Sequence, residues 1–235
     1  MKTALLLSGG MDSIAIAWWK RPDIAITLDY GQRAAEAEIK AASATCSALK
    51  IDHHVIKVDC SSLGSGDMAG AEADSNAPSS DWWPYRNQML ISLAAMKAIT
   101  LGVTHLWIGT VKSDSSHLDG TLAFVYKISE LMSFQEGNMI VEAPAIELST
   151  TELVRISGVT PGGLAWAHSC HKANIPCGNC RGCNKYFQVL DEVGYELDRL
   201  REGANKQVIS SQADSLIKIS RIWADFFPAN TSNQP

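Results

Sequence analysis

Two stretches of this chain carry residue types whose spacing can do chemistry. The first is Ser8-Gly9-Gly10-Met11-Asp12-Ser13. The apolar run Ala4–Leu7 before it reads as a buried strand, and Ile14-Ala15-Ile16-Ala17-Trp18 after it reads as a helix. Two glycines between a strand end and a helix start bring backbone N–H groups close to a ligand. The helix N-terminus adds partial positive charge, which suits phosphate or pyrophosphate. Ser8 and Ser13 add hydroxyl donors, and Asp12 can cap the helix or hold magnesium. The plainer alternative is an ordinary strand-to-helix turn with an Asp cap. Neither GxGxxG nor the GxxxxGK loop with its lysine is present.

The second stretch holds Cys170, Cys177, Cys180 and Cys183, four of the six cysteines of the chain, in the pattern C-x6-C-x2-C-x2-C. Two-residue gaps let a chain wrap one ion, and Gly178 and Gly182 ease the turns. Four thiolates favour a closed, structural Zn²⁺ site. An iron–sulfur cluster or a redox-active CxxC pair uses similar spacing. His168 and His171 lie close enough in sequence to replace a cysteine ligand. Cys46 and Cys60 read as ordinary buried residues.

These stretches need elements to position them. Strands are expected at residues 3–7, 24–28, 54–58, 105–108 and 139–141. Helices are expected at 12–20, 34–49, 87–100, 121–134, 150–157, 184–200 and 205–226, with a frayed tail after Phe227. Residues 61–81 show no periodicity and read as a long loop, and 110–119 as a polar loop. Alternating strands and helices predict an α/β fold: a Rossmann-like parallel sheet with helices on both faces and the ligand at the carboxyl ends of the strands. Ser8–Ser13, Asp29–Arg33 and Gly109–Asp119 all follow strands and converge on that edge. The division expected is residues 1–157 as the nucleotide-binding unit and 158–235 as a small helical, zinc-binding region packed onto it.

Composition narrows the class. At 235 residues, 46% hydrophobic and 19% charged, the chain can bury a substantial core. No apolar run approaches the ~18 residues of a membrane span, and the N-terminus lacks a signal peptide, so a cytoplasmic location is expected. The net charge of −5 and the lack of a Lys/Arg stripe argue against nucleic acid as direct partner and for small-molecule substrates.

The hexapeptide SGGMDS resembles the pyrophosphate loop of the N-type ATP pyrophosphatases, and further blocks sharpen the resemblance. Asp29-Tyr30-Gly31-Gln32-Arg33, Trp83-Pro84-Tyr85-Arg86-Asn87, Ala143–Ser149, Ser169-Cys170 and Pro176–Cys183 appear in the order found in the 7-cyano-7-deazaguanine synthase branch of that superfamily. The resemblance implies an adenine nucleotide alpha hydrolase-like sheet and ATP, Mg²⁺ and Zn²⁺ as cofactors. It implies a ligase that adenylates 7-carboxy-7-deazaguanine, releases pyrophosphate, and uses ammonia to give amide and then nitrile. Ser8, Gly9, Gly10, Met11, Asp12 and Ser13 would hold pyrophosphate and magnesium, with Asp12, Ser13 and Arg86 in catalytic roles. Asp29, Gln32 and Arg33 would line the nucleotide, and Tyr30, Arg86, Asn87, Asp114 and Asp119 the substrate. Cys170, Cys177, Cys180 and Cys183 would hold zinc. Related enzymes are often homodimers, and Trp223, Phe226 and Phe227 could serve an interface.

The chain departs from the family pattern in the loop Thr110–Thr121. Both acids align, but Gly120-Thr121 replaces a Cys-Arg pair and a Tyr-Pro is lost. This departure opens a second expectation: a homologue, of the kind found in antiphage defence, that activates the deazaguanine acid and joins it to another amine such as a protein N-terminus.

Overall fold

Five strands form one parallel sheet in the order β3-β2-β1-β4-β5 in a computed structural model that describes residues 1–194. They are β1 (Thr3–Leu6), β2 (Ile24–Asp29), β3 (Asp52–Lys57), β4 (His105–Trp107) and β5 (Ile140–Glu142). β1 is central, with Ala4 opposite Ile24 on one side and Leu106 on the other. Flanked on both sides and covered on both faces, β1 and β2 are apolar apart from Thr3, Thr27 and Asp29. β3 is an edge strand with a polar sequence, DHHVIK. It begins two residues earlier than its apolar run suggests. Asp52 and His53 pair with Ile24 and Ala25, and His53 Nε2 lies 2.8 Å from the buried Thr27 hydroxyl.

The period-two alternation of strand side chains splits the core into two layers. Leu5, Leu7 and Ala25 face α1 (Met11–Lys20), α2 (Ala35–Leu49), α6 (Thr150–Ser157), α7 (Pro161–Ala165) and α8 (Arg181–Val193). Ala4, Ile24, Ile26, Leu28 and Leu106 face α4 (Arg86–Thr100) and α5 (Leu122–Phe134). Fully buried side chains such as Leu5, Ile14, Ile91 and Leu153 each contribute on the order of 1.5–3 kcal/mol through apolar burial. Val159, Leu164, Val189 and Leu190 join the α1 layer, so residues 159–190 share a core with the sheet.

Local rules set the helix starts near the ligand edge. Ser149 and Glu152 form a reciprocal capping box on α6. Thr121 caps α5, and Thr160 followed by Pro161 starts α7. Cys180 caps α8 through its sulfur, three residues earlier than the apolar periodicity indicates, and α8 ends at Gly194. Residues 61–81 hold more order than expected: a 3-10 turn at Ser61–Leu63 and the one-turn helix α3 (Gly66–Ala69). Gly66 there has φ +65°, and a Cβ would lie against the Ser80 carbonyl. The loop 110–119 folds into 3-10 turns at Lys112–Ser116 and Leu118–Gly120. The expected helix 205–226, the end of the expected helix 184–200, and Trp223, Phe226 and Phe227 lie outside the described residues. No helix among the described residues is long and apolar enough to cross a membrane.

Candidate active site

Strand order reverses between β1 and β4, and the crevice at that point opens into a cavity of about 900 Å³. The turn Ser8–Ser13 forms one end of it. Gly9 adopts φ +76°, and a Cβ there would lie 2.4 Å from the Glu38 carbonyl, so only glycine fits. Gly10 is the N-cap of α1 and makes no side-chain cap bond, which leaves the first-turn N–H groups aimed at the cavity. The Ser8 and Ser13 hydroxyls lie 3.1 Å apart beside them, and Ser13 Oγ also donates to the Gly10 carbonyl at 3.0 Å. Gly109, after β4, packs against Ser13 closely enough that a Cβ would sit 3.2 Å from it. The result is a concave, donor-lined cradle for an anion.

Beside the cradle stands a three-residue charge bridge. Lys185 Nζ donates to Asp12 Oδ2 at 2.9 Å and to Asp114 Oδ1 at 3.1 Å. It ties together α1, the 110–121 loop and α8. Burial pushes the Asp12 carboxyl above its usual range; Lys185 counters that push and Asp114 reinforces it. Burial alone would depress the Lys185 ammonium, but the two carboxylates outweigh it and its pKa is raised. Asp12 Oδ1 is buried without a hydrogen-bond partner, and so is the neighbouring Thr150 hydroxyl at the start of α6. An unpartnered carboxylate oxygen beside an anion cradle is what a hard, oxygen-seeking cation requires, so these residues fit Mg²⁺.

The far end of the cavity is lined by Tyr30, Glu38, Met68, Arg86, Asn87 and Asp119. Tyr30 is buried, edge-on to Trp83 with ring centroids 5.0 Å apart, and burial drives its hydroxyl pKa strongly upward. Arg86 and Asn87 open α4, and Asn87 Nδ2 donates to the Asp119 carbonyl at 3.1 Å, pinning the turn that carries that acid. The Asp119 carboxylate makes no hydrogen bond or ion pair among the described residues, whereas Asp114 is engaged by Lys185.

Asp29, Gln32 and Arg33 do not line this cavity. Asp29 lies 3.9 Å from Lys57. Gln32 is buried, bridging the Leu28 carbonyl, the Tyr30 N–H and Glu38. Arg33 lies against Gly70 and its N–H donates to Met68. These residues shape the turn that presents Tyr30 and Glu38.

The four cysteine sulfurs lie within 4.8 Å of one another. Tetrahedral thiolates about 2.3 Å from one ion sit about 3.8 Å apart, and the 4.0 Å separations of Cys177–Cys183 and Cys170–Cys180 fit that figure. Backbone N–H groups of Cys177, His171 and Cys183 point at the sulfurs of Cys170 and Cys180. Hydrogen bonds from the Asn179 and Cys180 backbone, outweighing slight burial, bring the exposed Cys177 thiol down to about 6, while burial pushes Cys183 up to about 12. A single metal ion fits this set. The centre also reaches the cradle, because the His168 N–H donates to the Gly9 carbonyl at 2.8 Å and His168 Nε2 lies 2.9 Å from the Ala173 carbonyl.

The family model described as queuosine biosynthesis protein QueC matches residues 2–194. The chain belongs to the QueC family. The 7-cyano-7-deazaguanine synthase of Methanosarcina barkeri is 30% identical over 229 residues, covering 85% of this chain and 99% of the relative. The synthase of Chlorobium chlorochromatii is 30% identical over 215 residues, covering 83% and 94%. Among solved structures, the U34-tRNA thiolase NcsA from Methanococcus maripaludis, described with its 4Fe-4S cluster, aligns at 16% identity and TM-score 0.49 over 93% of this chain and 73% of that one.

Three charged participants escape a reading by motif. Lys185 is two residues beyond the last cysteine, and its partner Asp12 is 173 positions away. Glu38 sits in an Ala-rich helix that carries a second acid nearby. Asp81 ends the aperiodic stretch; it lies 3.3 Å from His171 Nδ1 and 3.7 Å from Arg181. The His171 contact, aided by Ser79, holds its carboxyl well below the ordinary range despite burial.

Proposed function

We propose that this chain is an ATP-dependent C–N ligase of the 7-cyano-7-deazaguanine synthase type. The observation that carries the reading is the junction of the lysine-free glycine cradle, the unpartnered Asp12 oxygen and Lys185 at the switch point of the sheet. Membership of the QueC family, and the names of relatives matched along nearly their whole length, support it.

A carboxylate is a poor electrophile because its charge repels nucleophiles and oxide is a poor leaving group. ATP solves this when the carboxylate oxygen attacks the α-phosphorus and pyrophosphate departs. Ammonia then attacks the acyl carbon, AMP leaves, and an amide results. A second adenylation, on the amide oxygen, allows loss of AMP and a proton to give the nitrile. No nucleophilic side chain is needed; the protein orients and neutralises.

The N–H groups of the cradle and the Ser8 and Ser13 hydroxyls take the pyrophosphate. Asp12 holds Mg²⁺, which when bound neutralises charge on the departing pyrophosphate. Lys185 lies within the same cluster and supplies a further positive charge there. Arg86 meets the substrate carboxylate, Tyr30 packs against the flat heterocycle, and Asp119 accepts from its guanidine-like edge. Asp114, held by Lys185, stays at the phosphate end. The four cysteines hold a structural Zn²⁺ that anchors His168 under the cradle and sets the start of α8, which carries Lys185.

The altered loop 110–121 favours one second reading, in which activation is kept and the acceptor is a larger amine, such as a protein N-terminus. Incubation of the pure protein with ATP, Mg²⁺ and 7-carboxy-7-deazaguanine, with and without ammonium, separates the readings. Nitrile with pyrophosphate supports the synthase. Adenylate or amide alone supports the conjugating homologue, and no acid-dependent pyrophosphate refutes both.

A further inference from the structure

One carboxylate on the cavity wall has no part in the adenylation steps. Glu38 lies near the start of α2, with its backbone carbonyl packed beneath Gly9 of the cradle. Its side chain lines the cavity in company with Tyr30 and Arg86, so this residue touches the cradle through its backbone and the far end through its carboxylate. Glu38 Oε2 accepts from Gln32 Nε2 at 2.8 Å. Gln32 is itself fixed, donating to the Leu28 carbonyl at 3.0 Å and accepting from the Tyr30 N–H at 2.8 Å. The carboxylate is therefore held in one orientation, and Oε1 makes no hydrogen bond among the described residues.

Most other charged groups around the cavity are engaged, and Asp119, which makes no ion pair among the described residues, sits on the turn pinned by Asn87, where the proposed reading gives it the substrate's guanidine-like edge. Asp12 and Asp114 share Lys185, and Asp81 is taken by His171 and Arg181. His168 directs Nε2 at the Ala173 carbonyl. Glu38 is influenced by Arg86 from α4, His171 from the cysteine segment and Asp29 from the end of β2. Burial raises its carboxyl above the ordinary value, against the pull of Gln32, Arg86 and His171. A fixed carboxylate with a free oxygen and a raised pKa is a better proton acceptor than an ordinary one.

We propose that Glu38 is the general base of the amine step, which rests on the adenylation reading above. As the nitrogen of ammonia bonds to the acyl carbon and the bond from that carbon to the AMP oxygen breaks, one N–H proton passes to Glu38 Oε1. The products are the neutral amide, AMP and protonated Glu38, which returns its proton to water. The same group serves whichever amine attacks, because every primary amine must shed a proton to become an amide.

The test uses the full-length protein with Glu38→Gln and two readouts. Acid-dependent exchange of labelled pyrophosphate into ATP reports adenylation, and mass spectrometry with ammonium reports amide and nitrile. The expected result is that exchange persists while product formation falls about 100-fold, and that the acidic limb of the wild-type pH–rate profile, with rates expressed per unprotonated ammonia, disappears. Glu38→Asp, which keeps the carboxylate on a shorter stem, is expected to keep exchange and the acidic limb while slowing product formation, and it replaces Glu38→Gln if that variant does not fold. Unchanged product formation, or a parallel loss of exchange and product, overturns the role of Glu38 alone. Absence of acid-dependent exchange in the wild type overturns the adenylation reading and this role with it.

Discussion

Replacing Lys185 with Met should leave Asp12 and Asp114 facing each other without a counter-charge. At an effective dielectric of about 20, a unit pair at the 2.9 Å Lys185–Asp12 distance has a gross Coulomb energy of about 6 kcal/mol. The side chains of Lys185 and Asp114 are 34% and 35% exposed, so solvent screening cuts the net loss to about 1–2 kcal/mol. For a domain of this size that is a fall in Tm of roughly 2–8 °C. The pH dependence is the sharper part of the expectation. The folded Asp12 carboxyl already titrates above its ordinary value, and losing Lys185 raises it further. A group whose folded pKa is raised costs stability as pH climbs above its unfolded value. The deficit of Lys185→Met should therefore be small near pH 4, about the unfolded carboxyl value, and grow as the pH rises above it. Thermal unfolding by circular dichroism at several pH values, without magnesium, reads this directly. Millimolar Mg²⁺ should restore more stability to the variant than to the wild type, because the ammonium no longer competes for Asp12. A deficit of equal size at pH 4 and pH 8, or none at all, would refute the bridge.

The cradle offers a contrasting pair. Gly9→Ala must place a Cβ 2.4 Å from the Glu38 carbonyl at φ +76°, so it should lower stability by at least about 1–2 kcal/mol and abolish pyrophosphate release. Gly10→Ala meets the Ser8 hydroxyl at 3.4 Å and the His168 carbonyl at 3.9 Å, both ordinary contacts, and should keep the wild-type Tm while weakening ATP binding by calorimetry. Asp81→Asn should cost about 1–3 kcal/mol in urea unfolding at pH 7. Because the folded Asp81 pKa is depressed, that loss should shrink as pH falls below about 4, and a loss unchanged at pH 3 would disprove the assignment. Metal analysis should return about one zinc per chain. Stripping it with a strong chelator should lower both Tm and acid-dependent pyrophosphate release, since the cysteine segment holds Gly9 through His168; iron with visible absorbance would contradict the zinc assignment.

What was legible in the sequence was local. The apolar run, glycine turn and periodic helix of residues 4–18 define β1, the cradle and α1 because each signal lies within a few residues of the next. The cysteine spacing brings four sulfurs together for the same reason, and the short helix expected at 150–157 is α6. Only the first two residues of edge strand β3, Asp52 and His53, were obscured, because pairing with β2 rather than their own polar character makes them part of the strand. Asp29, Gln32 and Arg33 follow a strand at the ligand edge, yet they turn into the supporting structure: a side chain's direction after a turn is set by hydrogen bonds such as Gln32 to Leu28 and Tyr30. Lys185 and Asp81 matter through partners 173 and 90 positions away, and no periodicity encodes such contacts.

Acid-dependent release of pyrophosphate from ATP tests the central claim most directly. With Mg²⁺ and 7-carboxy-7-deazaguanine, the wild type should release pyrophosphate, and Asp12→Ala should not while retaining its fold. Pyrophosphate that appears equally without the acid, or with Asp12→Ala, would contradict the account.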